Sequence, residues 1–345
     1  MKTELLTLLC CPSCSGELGV LKSSEKEGEI ESGILRCAGC SAEFPVVNFV
    51  PRFVPAANYC GNFGFQWNRF SQTQLDSCSG VPVSRERFLT QTGWDGDQLR
   101  GAIVLDAGCG SGRFAEVALD LGATVVAVDY SSAIEACWRN LRGRRNFHAI
   151  QADIRNLPLR KSCFDCIYSF GVLQHTPDPH SSFKGLPRCL KEGGKIAVDV
   201  YRLRWKCLLM PKYWLRPLTK RLPPPLLFRI VNTYVPILLP LSSFVGRIPG
   251  VGSRLRYLVP IANYTGVLPL NSEQQRQWAI LDTFDMLSPA YDLPQTGSTL
   301  RRWFGEAGLQ QVQIQETYLA VGTGKKGAAV LQDSPSMAHA EGSAT

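Results

Sequence analysis

Short apolar runs alternate with amphipathic, helix-like stretches between residues 99 and 200 of the chain. Five of these runs have the length and composition of strands, and they lie at 103–106, 124–128, 147–151, 163–170 and 195–200. Strands that alternate with helices predict βαβ units and a parallel sheet. A helix near Leu300–Ala307 and two strand-like runs, Val312–Gln315 and Tyr318–Val321, follow later in the chain.

Composition shifts divide the chain into six segments. They are an N-terminal region with two Cys pairs (1–56), an aromatic connector (57–98), the core (99–200), a Pro-rich segment of irregular pattern (201–296), a C-terminal helix with strands (297–326) and a polar tail (327–345). The tail is rich in Ala, Gly and Ser and is predicted to be disordered.

The composition excludes a disordered chain and a secreted disulfide framework. Of 345 residues, 45% are apolar and 19% are charged, which is typical of a folded protein of two or three domains. Most of the 13 Cys residues stand singly in apolar runs, a pattern that favours a reducing compartment. The N-terminal apolar run lacks a small-residue cleavage site, so we expect no signal peptide and a cytoplasmic protein.

A glycine-rich turn and three acids follow the first three predicted strands. The first strand ends in Asp106 and runs into Gly108-Cys109-Gly110-Ser111-Gly112. Arg113 stands where a dinucleotide motif needs its third glycine, and Asp106 would repel a pyrophosphate but could anchor an ammonium group. Asp129 ends the second strand, where a carboxylate can accept hydrogen bonds from ribose hydroxyls. A nicotinamide dehydrogenase is the alternative that this turn alone leaves open.

The ordered set of segments VLDAGCGSGRF, VVAVDYSS, QADIRNLPL, FDCIYSFGVLQH and LKEGGKIAVDV resembles the class I S-adenosylmethionine-dependent methyltransferases of the broad small-molecule type. The resemblance covers about residues 101–200. It implies an α/β fold with a doubly wound, mostly parallel, seven-stranded, Rossmann-like sheet. The apolar segment 201–296 would then be a helical cap inserted after the fifth strand, and the last two strands would close the sheet.

The resemblance also implies which residues bind S-adenosylmethionine. We expect the methionine moiety near the glycine turn, the ribose at Asp129, and the adenine near the third strand end, with Tyr130 stacked on its ring or simply packed in the core. The full set is Asp106, Gly108, Gly110, Asp129, Tyr130, Asp153, Ile154 and Phe170.

Two regions offer catalytic candidates. His175 follows the fourth strand, where a general base could take the proton of a hydroxyl acceptor, or where it could only order the loop before Pro177. Asp285, Tyr291 and Asp292 lie in an aromatic segment before Pro294, and of these we select Tyr291 and Asp292. Helix capping and turn chemistry are the alternative for that segment. The fourth strand ends without an Asn/Asp-Pro-Pro turn or a Pro-Cys nucleophile, which disfavours base N-methylation and pyrimidine carbon-5 methylation.

Two Cys-x-x-Cys pairs, Cys11/Cys14 and Cys37/Cys40, are separated by 22 residues. Four thiolates in this spacing predict a structural zinc site, with a disulfide as the alternative, and Gly39 would supply the positive φ that such a turn needs. Residues 5–55 resemble the short zinc-ribbon family whose free-standing members activate tRNA and protein methyltransferases. Ribosomal RNA guanine methyltransferases also begin with a ribbon, but their site includes a His where this chain has Cys40.

The net charge of +8 originates in one segment. Residues 201–260 contain eleven Lys and Arg and no Asp or Glu, which leaves 26 basic against 29 acidic residues elsewhere. The segment is also rich in Trp, Tyr, Leu and Ile, the composition of an interfacial segment on an anionic membrane. Its longest charge-free stretch, between Arg229 and Arg247, contains two Pro residues and is predicted not to span a membrane. A cap without membrane contact and a nucleic-acid-binding face are the alternatives.

These observations lead to one main hypothesis and two rivals. The main hypothesis is O-methylation of a small molecule, a glycan or a lipid-linked intermediate, by a cytoplasmic enzyme that can be peripheral at the membrane. The first rival is an RNA methyltransferase that binds RNA through the ribbon and the basic cap. The second rival is a non-catalytic partner of another methyltransferase.

Overall fold

The computed structural model describes residues 1–55, 58–204 and 210–327. The predicted disordered tail and the cap residues Trp205 and Lys206 therefore lie outside the described residues, apart from Gly327. The N-terminal region forms an antiparallel sheet of four strands in sequential order. These strands are β1 (Leu18–Lys26), β2 (Glu29–Cys37), β3 (Glu43–Val47) and β4 (Val50–Pro51).

The connector is helical and leads into the alternating core. Its helices are α1 (Gly61–Arg69), α2 (Asp76–Ser79), α3 (Val83–Thr92) and α4 (Gly96–Leu99). The core contains β5 (Ile103–Ala107), α5 (Arg113–Asp120), β6 (Thr124–Asp129), α6 (Ala133–Leu141), β7 (Phe147–Gln151), β8 (Phe164–Ser169), α7 (Pro179–Lys184) and β9 (Leu190–Tyr201).

The cap and the C-terminal elements follow the last parallel strand. The cap helices are α8 (Pro211–Thr219), α9 (Pro224–Gly246), α10 (Gly252–Leu255) and α11 (Ser272–Leu287). The chain then forms α12 (Gly297–Glu306), β10 (Leu309–Glu316) and β11 (Leu319–Lys326).

The large sheet has seven strands in the order β10-β11-β9-β8-β5-β6-β7. The strands β7, β6, β5, β8 and β9 pair in parallel, and β11 and β10 add antiparallel to β9 at one edge. The strand order reverses between β5 and β8, which makes their carboxyl ends the topological switch point where such sheets bind ligands. The predicted fold class, a doubly wound and mostly parallel seven-stranded sheet, is confirmed.

Alternating side chains of the parallel strands form two apolar layers, one on each face of the sheet. In β5, Leu105 enters one layer and Val104 the other, and both are fully buried. The N-terminal region packs on the first of these layers through Leu5, Leu9 and Leu35. The small four-stranded sheet therefore shares its apolar interior with the large one.

Strand β9 begins five residues earlier than the predicted fifth strand. It includes Gly193 and Gly194, which lie outside the predicted run 195–200. The pairing of β8 with β9 shifts register between Phe164 and Cys166, where the extra residues are taken up. A bulge of this kind keeps the following residues in register with their partners.

The described part of the segment 201–296 is largely helical, as the resemblance implied, although its sequence pattern is irregular. Helix α9 continues through Pro236 and Pro240, although each Pro lacks a backbone N–H donor. Leu227, Val231 and Val235, spaced by four residues, bury one stripe of this helix against α11. Tertiary packing thus outweighs the local cost of the two prolines.

The prediction that this stretch does not span a membrane stays a prediction, although its two prolines do not interrupt the helix. In the described chain, α9 is the one helix that is long and apolar enough to cross a bilayer, with a hydropathy of 1.4 in its most apolar window and 22% of that window buried. A single helix of this kind is weak evidence for a span, because core helices of globular proteins pass the same test.

We expect Gly112→Ala to lower the free energy of unfolding by about 2–4 kcal/mol, because an L-residue resists positive φ and the turn is tightly packed. Gly112 has φ 94°, and an added Cβ would lie 2.8 Å from Leu141 Cδ1 and 2.9 Å from Cys137 Sγ. Gly143→Ala is the control, because its Cβ would meet no atom within 4 Å. Urea unfolding that shows equal stability for the two variants would contradict this account.

Candidate functional site

A cavity of about 1650 Å³ covers the carboxyl ends of the parallel strands. Its wall combines the glycine turn after β5, the ends of β6 to β9, the connector helices and the cap. Binding pockets for one small ligand measure roughly 300–1,000 Å³. The cavity therefore has room for a cofactor and a second molecule.

The glycine turn is held in a shape that requires glycine. Gly108 and Gly110 both line the cavity and have φ of 93° and 55°. A Cβ on Gly108 would lie 2.3 Å from a methyl of Val172, and one on Gly110 would lie 3.2 Å from the ring of Trp67. Trp67 belongs to α1, so the connector packs directly over the turn.

Asp129, at the end of β6, holds the turn in place. Its Oδ2 accepts a hydrogen bond from the Gly110 amide at 2.9 Å, and its Oδ1 accepts from the amide and the hydroxyl of Ser131 at 2.8 and 2.7 Å. Burial raises the pKa of this carboxyl above its ordinary value. The side chain is also part of the cavity wall, where its remaining lone pairs can accept from ribose hydroxyls.

Asp106 lies beneath the turn and is not among the residues that line the cavity. It is 2% exposed, and its Oδ2 has no hydrogen-bond partner among the described residues. Burial raises the pKa of Asp106 to about 8. The hydroxyl of Ser111, within the turn, is likewise buried without a partner in the described part of the chain.

The far end of the cavity carries the predicted adenine residues. Asp153, Ile154 and Tyr130 line it, and Phe170 lines the cavity at the end of β8. The Asp153 carboxylate pairs with the Arg155 guanidinium at 2.7 Å and caps the short helix that follows β7.

Aromatic side chains line the cavity at the ends of β6 and β8. The ring of Tyr130 stacks on Tyr59 of the connector with centroids 5.0 Å apart. Phe170 stacks on Tyr168 at 5.4 Å and faces the edge of Phe114. The connector thus places an aromatic partner on Tyr130, which sequence alone did not indicate.

These residues fit S-adenosylmethionine. The positive-φ turn lets the backbone approach a ligand closely, and Asp129 offers acceptors for hydroxyl groups. The hydroxyl of Ser111 lines the cavity without a partner in the described part of the chain and can hydrogen-bond a ligand. The expected contact between Asp106 and an ammonium group stays a prediction, because Asp106 lies beneath the turn and does not line the cavity. Gly108, Gly110, Asp129, Asp153 and Ile154 would hold the cofactor.

His175 lies in the wall of the cavity and is 6% exposed. Its Nδ1 lies 2.9 Å from the carbonyl oxygen of Tyr291. Because a carbonyl oxygen can only accept, Nδ1 carries a proton, and in the corresponding neutral tautomer Nε2 is the proton acceptor. The rings of Tyr201 and Phe63 pack against the imidazole with centroids 5.3 and 5.2 Å away.

Tyr291 and Asp292, the other two predicted catalytic residues, are not among the cavity-lining residues. Tyr291 contributes its carbonyl oxygen to His175 and sets its ring edge-on to Tyr59. The Asp292 side chain is 2% exposed and pairs with Lys212 at 3.1 Å and with Arg216 at 3.8 Å. The geometry therefore gives these residues a positioning role and argues against direct contact with an acceptor.

Two other acids of the same segment do line the cavity. Asp282 accepts hydrogen bonds from the hydroxyl of Tyr264 and from Gln74, and burial raises its pKa to about 6. Asp285 lies 3.4 Å from the hydroxyl of Tyr201 and 3.3 Å from Gln66 Nε2. Asp285 was among the catalytic candidates from the sequence but was not selected. No role was predicted for Asp282.

Two arginines that line the cavity, Arg87 and Arg113, were not predicted from the sequence. Arg113 is 9% exposed, donates to Ser84 and Gln74, and lies over the ring of Phe114. Burial lowers the pKa of Arg113 to about 10. Arg87 pairs with the fully buried Asp199 at 2.6 Å. The replacement of the third motif glycine by Arg113 was the one signal that pointed to this part of the cavity.

The four predicted zinc ligands come together in the N-terminal region. The Sγ atoms of Cys11, Cys14, Cys37 and Cys40 lie within 4.8 Å of one another. Cys11 and Cys40 are 3.6 Å apart, and Cys14 and Cys37 are 3.4 Å apart. A zinc ion with Zn–S bonds of ~2.3 Å sets its sulfurs ~3.8 Å apart, so the cluster can hold this metal.

The turns around these cysteines differ from the prediction in one detail. Gly39 does not have a positive φ, whereas Ser15 and Ser41, which follow the two Cys pairs, have φ of 62° and 59°. The amides of Cys40 and Gly39 point at Cys37 Sγ from 3.5 and 3.3 Å and lower the pKa of Cys37 to about 6. Amides aimed at sulfur favour the thiolate that a metal requires.

We expect the purified protein to carry one zinc ion per chain, because four converging thiols form a closed tetrahedral site. Cys14→Ser should lose most of this zinc in elemental analysis by mass spectrometry. Cys78→Ser is the control, since Cys78 is an exposed cysteine away from the cluster. Equal zinc content in the two variants, or a Cys14–Cys37 disulfide in place of zinc, would contradict the prediction.

Asp106 should make the protein less stable as the pH rises. The pKa of Asp is about 3.9 in an unfolded chain and is raised to about 8 in this fold. Between these values the folded chain binds more protons than the unfolded chain, so the free energy of unfolding falls with increasing pH.

Urea unfolding at mildly acidic and mildly alkaline pH tests this. Asp106→Asn should lose less stability over that interval than the wild type, because its amide does not titrate. Asp120→Asn, which changes an exposed acid of α5, should behave like the wild type. A parallel decline of Asp106→Asn and wild type would refute the assignment.

Comparison with known proteins supports the reading of the core. Residues 105–198 match the family model described as methyltransferase domain. The ubiquinone biosynthesis O-methyltransferase of Coxiella burnetii is 32% identical over 113 residues, which cover 32% of this chain and 48% of that protein. The enzyme of the same name from Xanthomonas oryzae pv. oryzae is 35% identical over 104 residues, 28% of this chain and 42% of that protein.

The match to the family model covers only residues of the core. The chain spans about half the length, or less, of the two curated relatives. A solved structure of magnesium protoporphyrin IX methyltransferase from Synechocystis PCC 6803 with bound SAH has 13% identity and a TM-score of 0.41, over 78% of this chain and 96% of that one. The resemblance of residues 5–55 to the activator zinc ribbons stays a prediction. The core of this chain therefore carries a segment, residues 105–198, that matches the methyltransferase domain family.

Proposed function

We propose that this protein is an S-adenosylmethionine-dependent O-methyltransferase that acts on a hydroxyl group of a small, largely apolar molecule. The observation that carries the proposal is His175, whose Nδ1–H is committed to the Tyr291 carbonyl while the ring lines the same cavity as the glycine turn. The match of residues 105–198 to methyltransferase domains supports the same conclusion.

When bound, S-adenosylmethionine supplies an electrophilic methyl group on a sulfonium. The chain has two tasks, to align the acceptor oxygen with that methyl and to take the hydroxyl proton. His175 Nε2 is the acceptor for this proton, and the Tyr291 carbonyl stabilises the protonated ring. Tyr201 and Phe63 restrain the imidazole, so the base keeps one orientation.

The acceptor class is proposed from the cavity wall and from the relatives. Cap residues such as Met210, Ile261 and Leu268 give the outer part of the cavity an apolar lining. The two relatives are named as O-methyltransferases of ubiquinone biosynthesis. An apolar acceptor, free or linked to a lipid, suits this wall better than a glycan, whose hydroxyl groups would lack partners there.

The two rival functions are not favoured. For RNA binding, two of the cap's cations, Lys212 and Arg216, are not available to phosphates, because they are buried and pair with Asp292. The exposed cations of the cap stand beside exposed apolar side chains of α9, which suit a nucleic acid poorly. A non-catalytic partner has no need for a cavity that joins a glycine turn to an ordered histidine. We further propose a structural role for zinc, since four thiolates leave no open position, and a cytoplasmic location for the enzyme.

His175→Ala should lower kcat by about 10²- to 10⁴-fold, the usual contribution of a general base. The affinity for S-adenosylmethionine should stay within about twofold, because the imidazole lies on the acceptor side of the cavity. His180→Ala is the matched control, since His180 is a half-buried residue of α7 that pairs with Glu306 and does not line the cavity. Timed, quenched assays with methyl-labelled S-adenosylmethionine measure kcat for both variants. An unchanged kcat in His175→Ala would remove the general base from the proposal.

The acceptor can be found by incubating the protein with methyl-labelled S-adenosylmethionine and separate fractions of lipid, small molecules, glycan and RNA. We expect label in the lipid or small-molecule fraction, in a product that resists mild base as an ether does. Label that enters only RNA would overturn the proposal in favour of the first rival.

A further inference from the structure

Exposed apolar side chains are concentrated on the cap. Thirteen of the nineteen large hydrophobic residues that are exposed in the described chain fall within residues 210–267. A patch of this kind on a folded protein marks an interaction surface, whereas single exposed apolar residues need no explanation.

Helix α9 carries the most regular part of this surface. Leu226, Ile230, Ile237, Leu241 and Phe244 are between 44% and 69% exposed. With about 100° per residue, these five positions fall within an arc of about 60° on the helix. They form one continuous apolar stripe, which we call the docking stripe.

The docking stripe lies beside the buried face of α9 and does not belong to it. Leu227, Val231 and Val235 fill that other face and pack against Ile280 and Phe284 of α11. A helix held to its own protein along one side lies flat on the surface of the fold. This arrangement favours contact with an interface over a transmembrane span.

The charges around the docking stripe indicate the kind of surface that it binds. Residues 201–272 contain no Asp or Glu. Lys220, Arg221, Arg229 and Arg247 are exposed. Arg229 lies in the first turns of α9 beside the stripe, and Arg247 follows the last residue of the helix. Lys212 and Arg216 of α8 face inward and pair with the Asp292 carboxylate. The exposed cations, in contrast, place their positive charge at the outer surface of the cap.

The cavity opens among residues of the same cap. Leu258 and Val267 are 61% and 57% exposed and also line the cavity. Tyr318, which is 71% exposed, lines it from the β10–β11 side. The mouth of the cavity therefore has an apolar rim.

We propose that the docking stripe and its flanking cations bind the surface of a bilayer that contains anionic lipids. Apolar side chains insert at the acyl boundary, and Arg229 and Arg247 contact lipid phosphates. The inference that an apolar acceptor passes from the bilayer into the cavity rests on the proposed function. The docking itself does not, and it is measured without methyl transfer.

Co-sedimentation of the full chain with vesicles tests the docking. The protein should pellet with vesicles of phosphatidylcholine mixed with phosphatidylglycerol, several-fold less with phosphatidylcholine alone, and less at high salt. Ile237→Glu/Phe244→Glu should lose at least about tenfold in vesicle binding, because the stripe then carries charge into the acyl boundary. Arg229→Gln/Arg247→Gln should lose the preference for phosphatidylglycerol and keep the weaker binding.

Val20→Glu/Leu21→Glu is the matched control, since these exposed apolar residues lie on β1, in the small N-terminal sheet. It should bind vesicles like the wild type. Circular dichroism and cofactor binding establish that each variant is folded. Wild-type protein that stays in the supernatant with the anionic vesicles refutes the proposal.

Sedimentation velocity separates docking on lipid from self-association. The wild type should remain the same size as Ile237→Glu/Phe244→Glu in the absence of vesicles. A wild-type dimer that this variant converts to monomer would assign the stripe to a second copy of the chain and overturn the membrane proposal.

Discussion

Three backbone amides of the glycine turn after β5 donate hydrogen bonds to the end of β6. These bonds hold the turn in the wall of the cavity. The amide of Gly110 donates to the Asp129 carboxylate, and the amides of Gly108 and Cys109 both donate to the carbonyl of Val128. These bonds fix a run of positive-φ glycines at the switch point of the sheet. Without them the turn would not present a closely packed backbone to a ligand, and the connector would lose the surface on which Trp67 packs.

A second chain of contacts links the cap to the predicted base. Lys212 and Arg216 of α8 hold the buried Asp292 carboxylate, and Arg216 also donates to the carbonyls of Met286 and Pro289. The neighbouring residue, Tyr291, offers its carbonyl to His175. Breaking one member of a buried ion pair is strongly destabilising, because the remaining charge stays desolvated. The inward cations of the cap thus order the acceptor side of the cavity, while its outward cations remain at the surface.

Much of the core was predictable because the relevant signals are local. Strand periodicity and the acids that end each strand located Asp129, Asp153 and the glycine turn, and parallel topology brings such strand ends to one edge. The Cys pairs were equally local, since each turn places two thiols together. Tyr59 and Trp67 were not predictable, because their contacts with Tyr130 and Gly110 depend on how the connector folds back over the sheet.

The errors have the same physical origin. Asp292 and Asp282 lie ten residues apart in one segment, and only the packing of α8 and α11 decides which of them is neutralised by cations and which lines the cavity. The continuity of helix α9 was misread because local Pro signals were weighted above a buried stripe that becomes visible only against α11. Gly39 was misread because the positive φ falls on the residue after each Cys pair.

We propose that the turn between β5 and α5 binds S-adenosylmethionine on one side of a shared cavity. Isothermal titration calorimetry with S-adenosylhomocysteine tests it most directly. We expect one site per chain, an affinity reduced about 10- to 100-fold in Asp129→Ala through loss of charge-assisted hydrogen bonds, and near wild-type affinity in Asp120→Asn, which changes an exposed acid. Absence of binding by the folded wild-type protein, or equal affinity in Asp129→Ala, would contradict it.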